Sequence, residues 1–449
     1  MVFDRTADNR SHPNRQSFYS RTNYSAMTRH LSFRYFRPDE KVSLDDIVRL
    51  ISYCNNLESI CLCDQYLLRD SSLVTIFKHC PQLKHICLDG LYHISASVFQ
   101  LSETKSVVDQ IESLRIGSFY FDNPWQKLCF PSLKYLQLHM TSSGQLLRLL
   151  GHCRQTLNTL LITVHGWKTK SSDWIRLEQA FLEFPALKKL GLAVSKRNNA
   201  NITRFGAQLN DIELIGPFPP ETFQAISYLK KLKRLCLINC QQPTHLMEKI
   251  LYNNKDSLIT YVGDNVWKRT ESTESPLRLS SSLRCLGFNP GGKQDWSYLD
   301  NHRNTVEQLH ISMTGSIADC WLSMMKAAWP NVKVCFLCVD PLWLEDLTRL
   351  PSIFPNLEYI SISNDICSDS VSQVYAIFNQ FPHLRGGLYE PMLPVLESQL
   401  DPTAERLKRD FFTWESGTHS FAEKIDTILS PLVTLKRLCE DWRQKIENA

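Results

Sequence analysis

Apolar residues return along this chain in one short frame. Cys80-Pro81-Gln82-Leu83-Lys84-His85-Ile86-Cys87-Leu88 aligns with Phe130-Pro131-Ser132-Leu133-Lys134-Tyr135-Leu136-Gln137-Leu138. Both align with Phe184-Pro185-Ala186-Leu187-Lys188-Lys189-Leu190-Gly191-Leu192 and Phe354-Pro355-Asn356-Leu357-Glu358-Tyr359-Ile360-Ser361-Ile362. The frame is an aromatic residue or Cys, then Pro, one variable residue, and apolar residues at relative positions 0, +3 and +5. It starts at Leu57, Leu83, Ile111, Leu133, Leu157, Leu187, Leu209, Leu232, Leu283, Val306, Val332 and Leu357, with degenerate copies at Leu258 and Leu384. Thirteen steps cover the 327 residues from Leu57 to Leu384, about 25 per step, with individual steps of 22 to 30. A period of that size marks a stacked array, in which each unit buries its apolar face against its neighbours.

Each part of the frame predicts an element. The +3 and +5 residues lie two apart on a strand and point to the same side, into a core. The +2, +4 and +6 residues then face solvent on the other side. Behind each strand comes a stretch with helical spacing: Leu73, Ile76 and Phe77; Leu146, Leu149 and Leu150; Trp174, Leu177, Phe181 and Leu182; Val371, Val374, Ile377 and Phe378. One apolar stripe of that kind packs a helix against the strands. The prolines that follow (Pro81, Pro131, Pro185, Pro330, Pro355 and Pro382) cannot continue a helix and set up the next strand. The predicted fold class is α/β, a leucine-rich-repeat solenoid (horseshoe) with parallel strands on the concave face and helices on the convex face. It runs over 27–390 in about 14–15 units. Residues 1–26, rich in Arg, Ser and Asn, read as a disordered lead. Residues 391–449 lack the frame, but Ile425, Leu429, Leu432, Leu435, Leu438, Trp442 and Ile446 predict two helices broken at Pro431, a cap on the last unit. The polar stretch 264–282 predicts a surface insertion.

The frame C/F-P-x-L-K/E-x-L/I-x-L/I resembles the cysteine-containing, ribonuclease-inhibitor-like repeats of F-box/leucine-rich-repeat proteins, over roughly 28–390. The opening Thr28-Arg29-His30-Leu31-Ser32-Phe33 with Leu44-Asp45-Asp46-Ile47-Val48 is similar to the first repeat after the F-box. The resemblance implies a substrate receptor that works with Skp1–cullin ligase components. The chain departs from that family in one respect: residues 1–27 contain no Leu-Pro pair and no helical period, so no F-box is recognisable there.

Composition narrows the function classes. The formal net charge is +4 over 449 residues, with 43% hydrophobic and 21% charged residues, which fits a globular chain and excludes disordered and collagen-like classes. No apolar run reaches the roughly 18–20 residues of a membrane-spanning helix. The first residues lack the apolar core of a secretory signal. Fifteen cysteines are too few for a disulfide-stapled module. Cys54, Cys80 and Cys153 end helix-like segments, where a thiol serves as a small buried hydrophobe. Cys61/Cys63 and Cys335/Cys338 lack the second pair that zinc needs. The expected compartment is therefore reducing, cytoplasm or nucleus. No phosphate loop, zinc-protease, hydrolase-elbow or dinucleotide motif is present, so the expectation is a non-enzyme with no cofactor and no metal. A basic run interleaved with aromatics is also missing, which gives nucleic acid little support.

What remains for function is the strand row that points away from the helices. Equivalent positions on adjacent strands lie about 4.8 Å apart and form a ladder. His85, Arg115, Tyr135, His139, Lys189, Arg234, His310, Phe336 and Tyr359 stand on it, with Cys61, Cys63, Cys87, Cys236 and Cys338 among them. Tyr and Arg are common interface anchors. The expectation is a monomeric protein-recognition module that binds protein partners through this concave row, without nucleic acid or membrane. The alternative built on the same repeats is a stoichiometric inhibitor or assembly scaffold for one protein.

Overall fold

The computed structural model describes residues 2–3, 28–34, 48–49, 51–63, 68–88, 94–116, 128–140, 143–164, 171–194, 200–238, 240, 243–264, 281–289, 302–314, 328–340, 342–362, 366–367, 377, 380–384 and 386–389. The expected cap over 391–449, residues 265–280 of the expected insertion, and the 371–378 stripe apart from Ile377 lie outside them. So does the expected lead, apart from Val2–Phe3. The chain divides into two compact units, 1–209 and 210–449.

In the first unit the strands are β1 (Val2–Phe3), β2 (His30–Arg34), β3 (Ser59–Cys63), β4 (His85–Leu88), β5 (Ser113–Ile116), β6 (Tyr135–Met140), β7 (Thr159–Val164) and β8 (Lys189–Val194). They pair in chain order and all in parallel. The register matches the frame position by position: Ile60, Ile86, Leu114, Leu136, Leu160 and Leu190 are the +3 residues and stand in one line. Leu88, Ile116, Leu138, Ile162 and Leu192 form the +5 line beside it. Both lines are buried, and so are the position-0 residues from Leu57 to Leu209.

Helices supply the other side of this core. Helix α1 (Asp70–His79) buries Leu73, Ile76 and Phe77, as its spacing predicts. The Phe77 ring meets Phe99, 5.9 Å between centroids, and Phe99 meets Phe130 at 5.6 Å, so aromatics link successive coils behind the sheet. The short helix α2 (Lys105–Val108) buries Val107 and Val108. Helices α3 (Ser143–Cys153) and α4 (Ser171–Leu182) lie side by side, with Leu149, Leu150, Trp174, Leu177 and Phe181 buried. Cys54, Cys80 and Cys153 close helical segments as buried thiols, and the Cys80 thiol donates to the Ile51 carbonyl, 3.5 Å.

The second unit repeats the plan. Strands β9 (Asp211–Ile215), β10 (Arg234–Ile238), β11 (Thr260–Asp264), β12 (Cys285–Asn289), β13 (Gln308–Thr314) and β14 (Val334–Asp340) pair in order and in parallel. Strand β14 continues to Tyr359–Ile362 and that strand to Gly386–Tyr389, while Leu342–Trp343 and Ile366–Cys367 pair separately. Helices α5 (Pro220–Ile226), α6 (Thr244–Asn253) and α7 (Leu344–Ile353) stand behind these strands. The degenerate Leu258 coil keeps its strand despite Gly263 at +5, because Tyr261 at +3 is wholly buried between Leu235 and Leu286 and supplies the missing volume. The fold is thus an α/β leucine-rich-repeat solenoid, as the period predicts.

Two devices stitch one coil to the next. The carbonyl at +1 accepts two N–H groups from the following coil: Glu58 from Lys84 and His85, Glu112 from Lys134 and Tyr135, Lys233 from Ile259 and Thr260, Lys333 from Glu358 and Tyr359. The corners also use side chains. Asn254 is buried, takes a hydrogen bond from Leu232 N–H at 2.8 Å, and donates to the Leu229 and Ile250 carbonyls at 2.9 Å each. Replacing it strands one buried N–H and two carbonyls, and an orphaned buried group costs about 1–3 kcal/mol. Asn254→Ala is expected to lower the denaturation midpoint of the full chain, followed by circular dichroism in urea, whereas the exposed Asn55→Ala leaves it in place.

Candidate functional site

The open row, opposite the helices, is built from +2, +4 and +6 side chains on consecutive strands. In the first unit His85 is exposed between Ser59 and Ser113. Its ring sits below the ordinary histidine pKa, chiefly through partial desolvation, with Glu112 and Glu58 pulling the other way and His30 and Lys84 adding to the drop. Arg115 is half-buried between Cys87 and Gln137. The Tyr135 hydroxyl donates to Gln137 Oε1 at 2.8 Å, which fixes both side chains next to Arg115. Lys189 is half-buried in register with Thr159. His139 is in register with Thr163, and its side chain lies outside the described residues. Cys61 and Cys87 are direct register neighbours, both half-buried.

In the second unit the row is far less exposed than simple alternation implies. Arg234 is 8% exposed, His310 6% and Tyr359 6%, so the expectation that these positions face solvent is corrected there. Each is flanked at strand spacing: Arg234 by Asp211 and Thr260, His310 by Gly287 and Phe336, Tyr359 by Val334 and Gly386. Side chains stacked about 4.8 Å apart shield their neighbours from water. The His310 and Phe336 rings are 6.0 Å apart and inclined at 59°, so the structure brings these two together as one aromatic step. Arg234 lies three strands away from them and does not join it.

Reading single residues from the frame misses a group of charges on the row. Asp211 and Glu213 stand on β9 directly beside Arg234 and Cys236 on β10, and Glu213 is only 2% exposed. The signal was available, because these are the +2 and +4 positions of the Leu209 coil and follow the same rule. Cys236, fully buried against Val262 and Cys285, has its thiol pKa pushed well up by desolvation first and Glu213 next. Cys80 and Cys153 are pushed up to about 12, again mainly by burial, and Cys335 is raised as well.

A second row was also missed. The +1 residues Arg29, Glu58, Lys84, Glu112 and Lys134 alternate in sign along the edge of the first unit. Arg29 pairs with Glu58 at 3.2 Å and Lys134 with Glu112 at 2.8 Å. The Glu112 carboxyl is held below its ordinary value, first by the Lys134 hydrogen bond. In the second unit Arg284 and Glu307 repeat the pairing at 3.4 Å.

Among the described residues no group of three or more His, Cys, Asp or Glu side chains is placed to hold a metal ion, and no helix is long and apolar enough to cross a membrane. No protein-family model matches the chain, and no curated protein matches its sequence. Among solved structures, it is similar to a chain in the complex of Rad7 and Elc1 in yeast, at 16% identity and a TM-score of 0.43, over 79% of this chain and 79% of that one. It is also similar to a chain in the TLR13–ssRNA13 complex, at 12% identity and a TM-score of 0.32, over 81% of this chain and 54% of that one. Likeness this slight carries no functional argument.

Two outcomes follow from the buried groups. A thiol reacts as thiolate, so Cys80, Cys153, Cys236 and Cys335 are expected to stay unlabelled by maleimide in the native protein near neutral pH and to label once the chain is unfolded. Mass spectrometry of the tryptic peptides reads this. His302, buried with neither ring nitrogen hydrogen-bonded, titrates below its ordinary 6.5 because of desolvation. The folded state then binds fewer protons than the unfolded chain below pH 6.5, so stability is complete above that value and falls as pH drops toward the depressed folded value. The urea midpoint is expected to decline over that window, and His302→Leu to flatten the decline.

Proposed function

We propose that this chain is a non-catalytic protein-recognition module, with a protein partner bound on the open row of the sheet. The observation that carries the reading is the row of side chains at strand spacing in each unit, with the Tyr135–Gln137 hydrogen bond in the first and the His310–Phe336 ring pair in the second. Aromatic and Arg side chains are the residues that dominate protein interfaces, and the repeats of each unit offer a row of them. The finer reading follows from the frame's resemblance to F-box/leucine-rich-repeat proteins. It makes the chain a substrate receptor that meets Skp1–cullin ligase components in the cytoplasm or nucleus.

One experiment tests both levels. The tagged full chain and its Phe336→Ala/Tyr135→Ala variant are purified from native extract and the co-purifying proteins quantified. Recognition through the row predicts a defined partner whose recovery falls at least about tenfold in the variant, as loss of an aromatic anchor does, with circular dichroism unchanged. Skp1 and cullin recovered with both forms support the receptor reading. Their absence, with the partner retained, leaves an inhibitor or scaffold. Equal recovery of every partner by both forms overturns recognition through the row.

A further inference from the structure

The sign alternation at the coil edge stops after Lys134, and in the second unit one stretch of the edge gathers lysines without acids. Lys233 occupies the +1 position between Asn210 and Ile259, so neither neighbour on the edge is an acid. Lys230 and Lys231 precede it, and all three are exposed. The next coil lies directly against this corner: the Asn253 side chain donates to the Ser227 carbonyl at 2.6 Å, Ser257 Oγ to Leu232 at 2.9 Å, and Ile259 N–H to Lys233 at 2.8 Å. It adds exposed Lys249 and Lys255. Among the described residues none of these five lysines forms an ion pair, although Lys78, Lys134, Arg154 and Arg284 elsewhere do.

The charge is concentrated as well as unpaired. Leaving aside Arg234 on the open row, Lys230, Lys231, Lys233, Lys249 and Lys255 stand between 228 and 259 against only Glu248 and Asp256, a local net +3 beside the +4 of all 449 residues. Helix ends above this corner favour cations, but that effect is a fraction of one charge per helix and does not neutralise five.

Apolar surface accompanies the charge. Tyr228 is 65% exposed, Tyr252 67% and Ile259 42%. The Lys249 ammonium lies over the Tyr228 ring, 4.9 Å from its centroid, and Lys255 over Tyr252 at 5.0 Å. These contacts hold two long side chains in place and present their ammonium groups from a firm base. They also cover ring faces. A nucleic-acid strand would use such faces for base stacking and would need a continuous cationic track along its backbone. Here the cations are confined to one corner of two coils. Carboxylates can reach the ammonium groups directly, and an apolar side chain between them can lie on Ile259 and the ring edges.

We propose that this corner is a second interaction surface, separate from the open row, that binds an acidic segment of a protein partner carrying interspersed aromatic or aliphatic side chains. The surface acts through charge complementarity, so it speeds encounter and is salt-dependent.

Fluorescence anisotropy of the full chain tests it. The probe is a labelled peptide of about 12 residues, half Asp and Glu with two Phe, a length that suits short-motif recognition. The same peptide with Asn and Gln in place of the acids is the neutral control, and an oligothymidylate of equal charge is the nucleic-acid control. The expected result is saturable binding of the acidic peptide, weakened at least about tenfold in the neutral peptide and in Lys230→Ala/Lys231→Ala/Lys233→Ala. Lys249→Gln/Lys255→Gln, which changes only exposed side-chain tips, gives an independent loss should the triple variant misfold. Failure of the acidic peptide to saturate, equal affinity in the wild type and the double variant, or tighter binding of the oligothymidylate overturns the proposal. None of these outcomes depends on the open row.

Discussion

One carbonyl per coil carries this architecture. At the +1 positions from Arg29 to Asn158 and from Asn210 to Lys333 a backbone oxygen accepts two N–H groups from the next coil, as Glu58 does from Lys84 and His85. The strand that follows then starts at a fixed height, and Ile60, Ile86 and Leu114 fall into line without any side-chain decision. Steps of 22 to 30 residues would otherwise let the coils drift. Because the strand side is pinned, the variation goes to the helix side, where an eleven-residue helix at Ser143–Cys153 and a four-residue one at Lys105–Val108 both serve. Sheet hydrogen bonds thereby set the pitch, and burial of leucine stabilises whatever the pitch permits.

The two sides of the sheet answer to different constraints. On the packed side volume decides, which is why Tyr261 can stand in for the coil lacking a side chain at Gly263. On the open side each residue is judged against its neighbours in the ladder. Asp211, Glu213 and Arg234 show this: the charges occupy adjacent strands, with Glu213 and Arg234 buried and Asp211 half-buried. Burying charge is costly without compensation, and here the register sets Asp211 directly against Arg234.

Much of the fold was legible in the sequence. Three apolar positions and a proline, repeated, specify strand, inward face and helix stop with only local chemistry, and the observed strands begin where the frame places them at His85, Tyr135, Lys189 and Tyr359. The open row was legible as a set of positions but not as a surface. Whether Arg234 or His310 meets water depends on its neighbours on adjacent strands, information that a frame read one coil at a time discards. The corner lysines show the same limit. Each is an ordinary surface residue in its own coil, and their concentration without ion pairs emerges only when residues 228–233 and 249–259 lie side by side.

The alternating edge of the first unit has a bearing on how such an array holds its order. Identical leucines would allow a coil to be skipped or paired one place out with little loss of burial. Removing the Glu58 coil, however, would set Arg29 against Lys84, and removing the Glu112 coil would set Lys84 against Lys134. Each pair contributes little by itself, but a slip between Arg29 and Lys134 converts attractions into repulsions. Over Arg29–Lys134 the edge therefore works as a numbering of the coils, disfavouring mispaired arrangements that the apolar core alone would not distinguish.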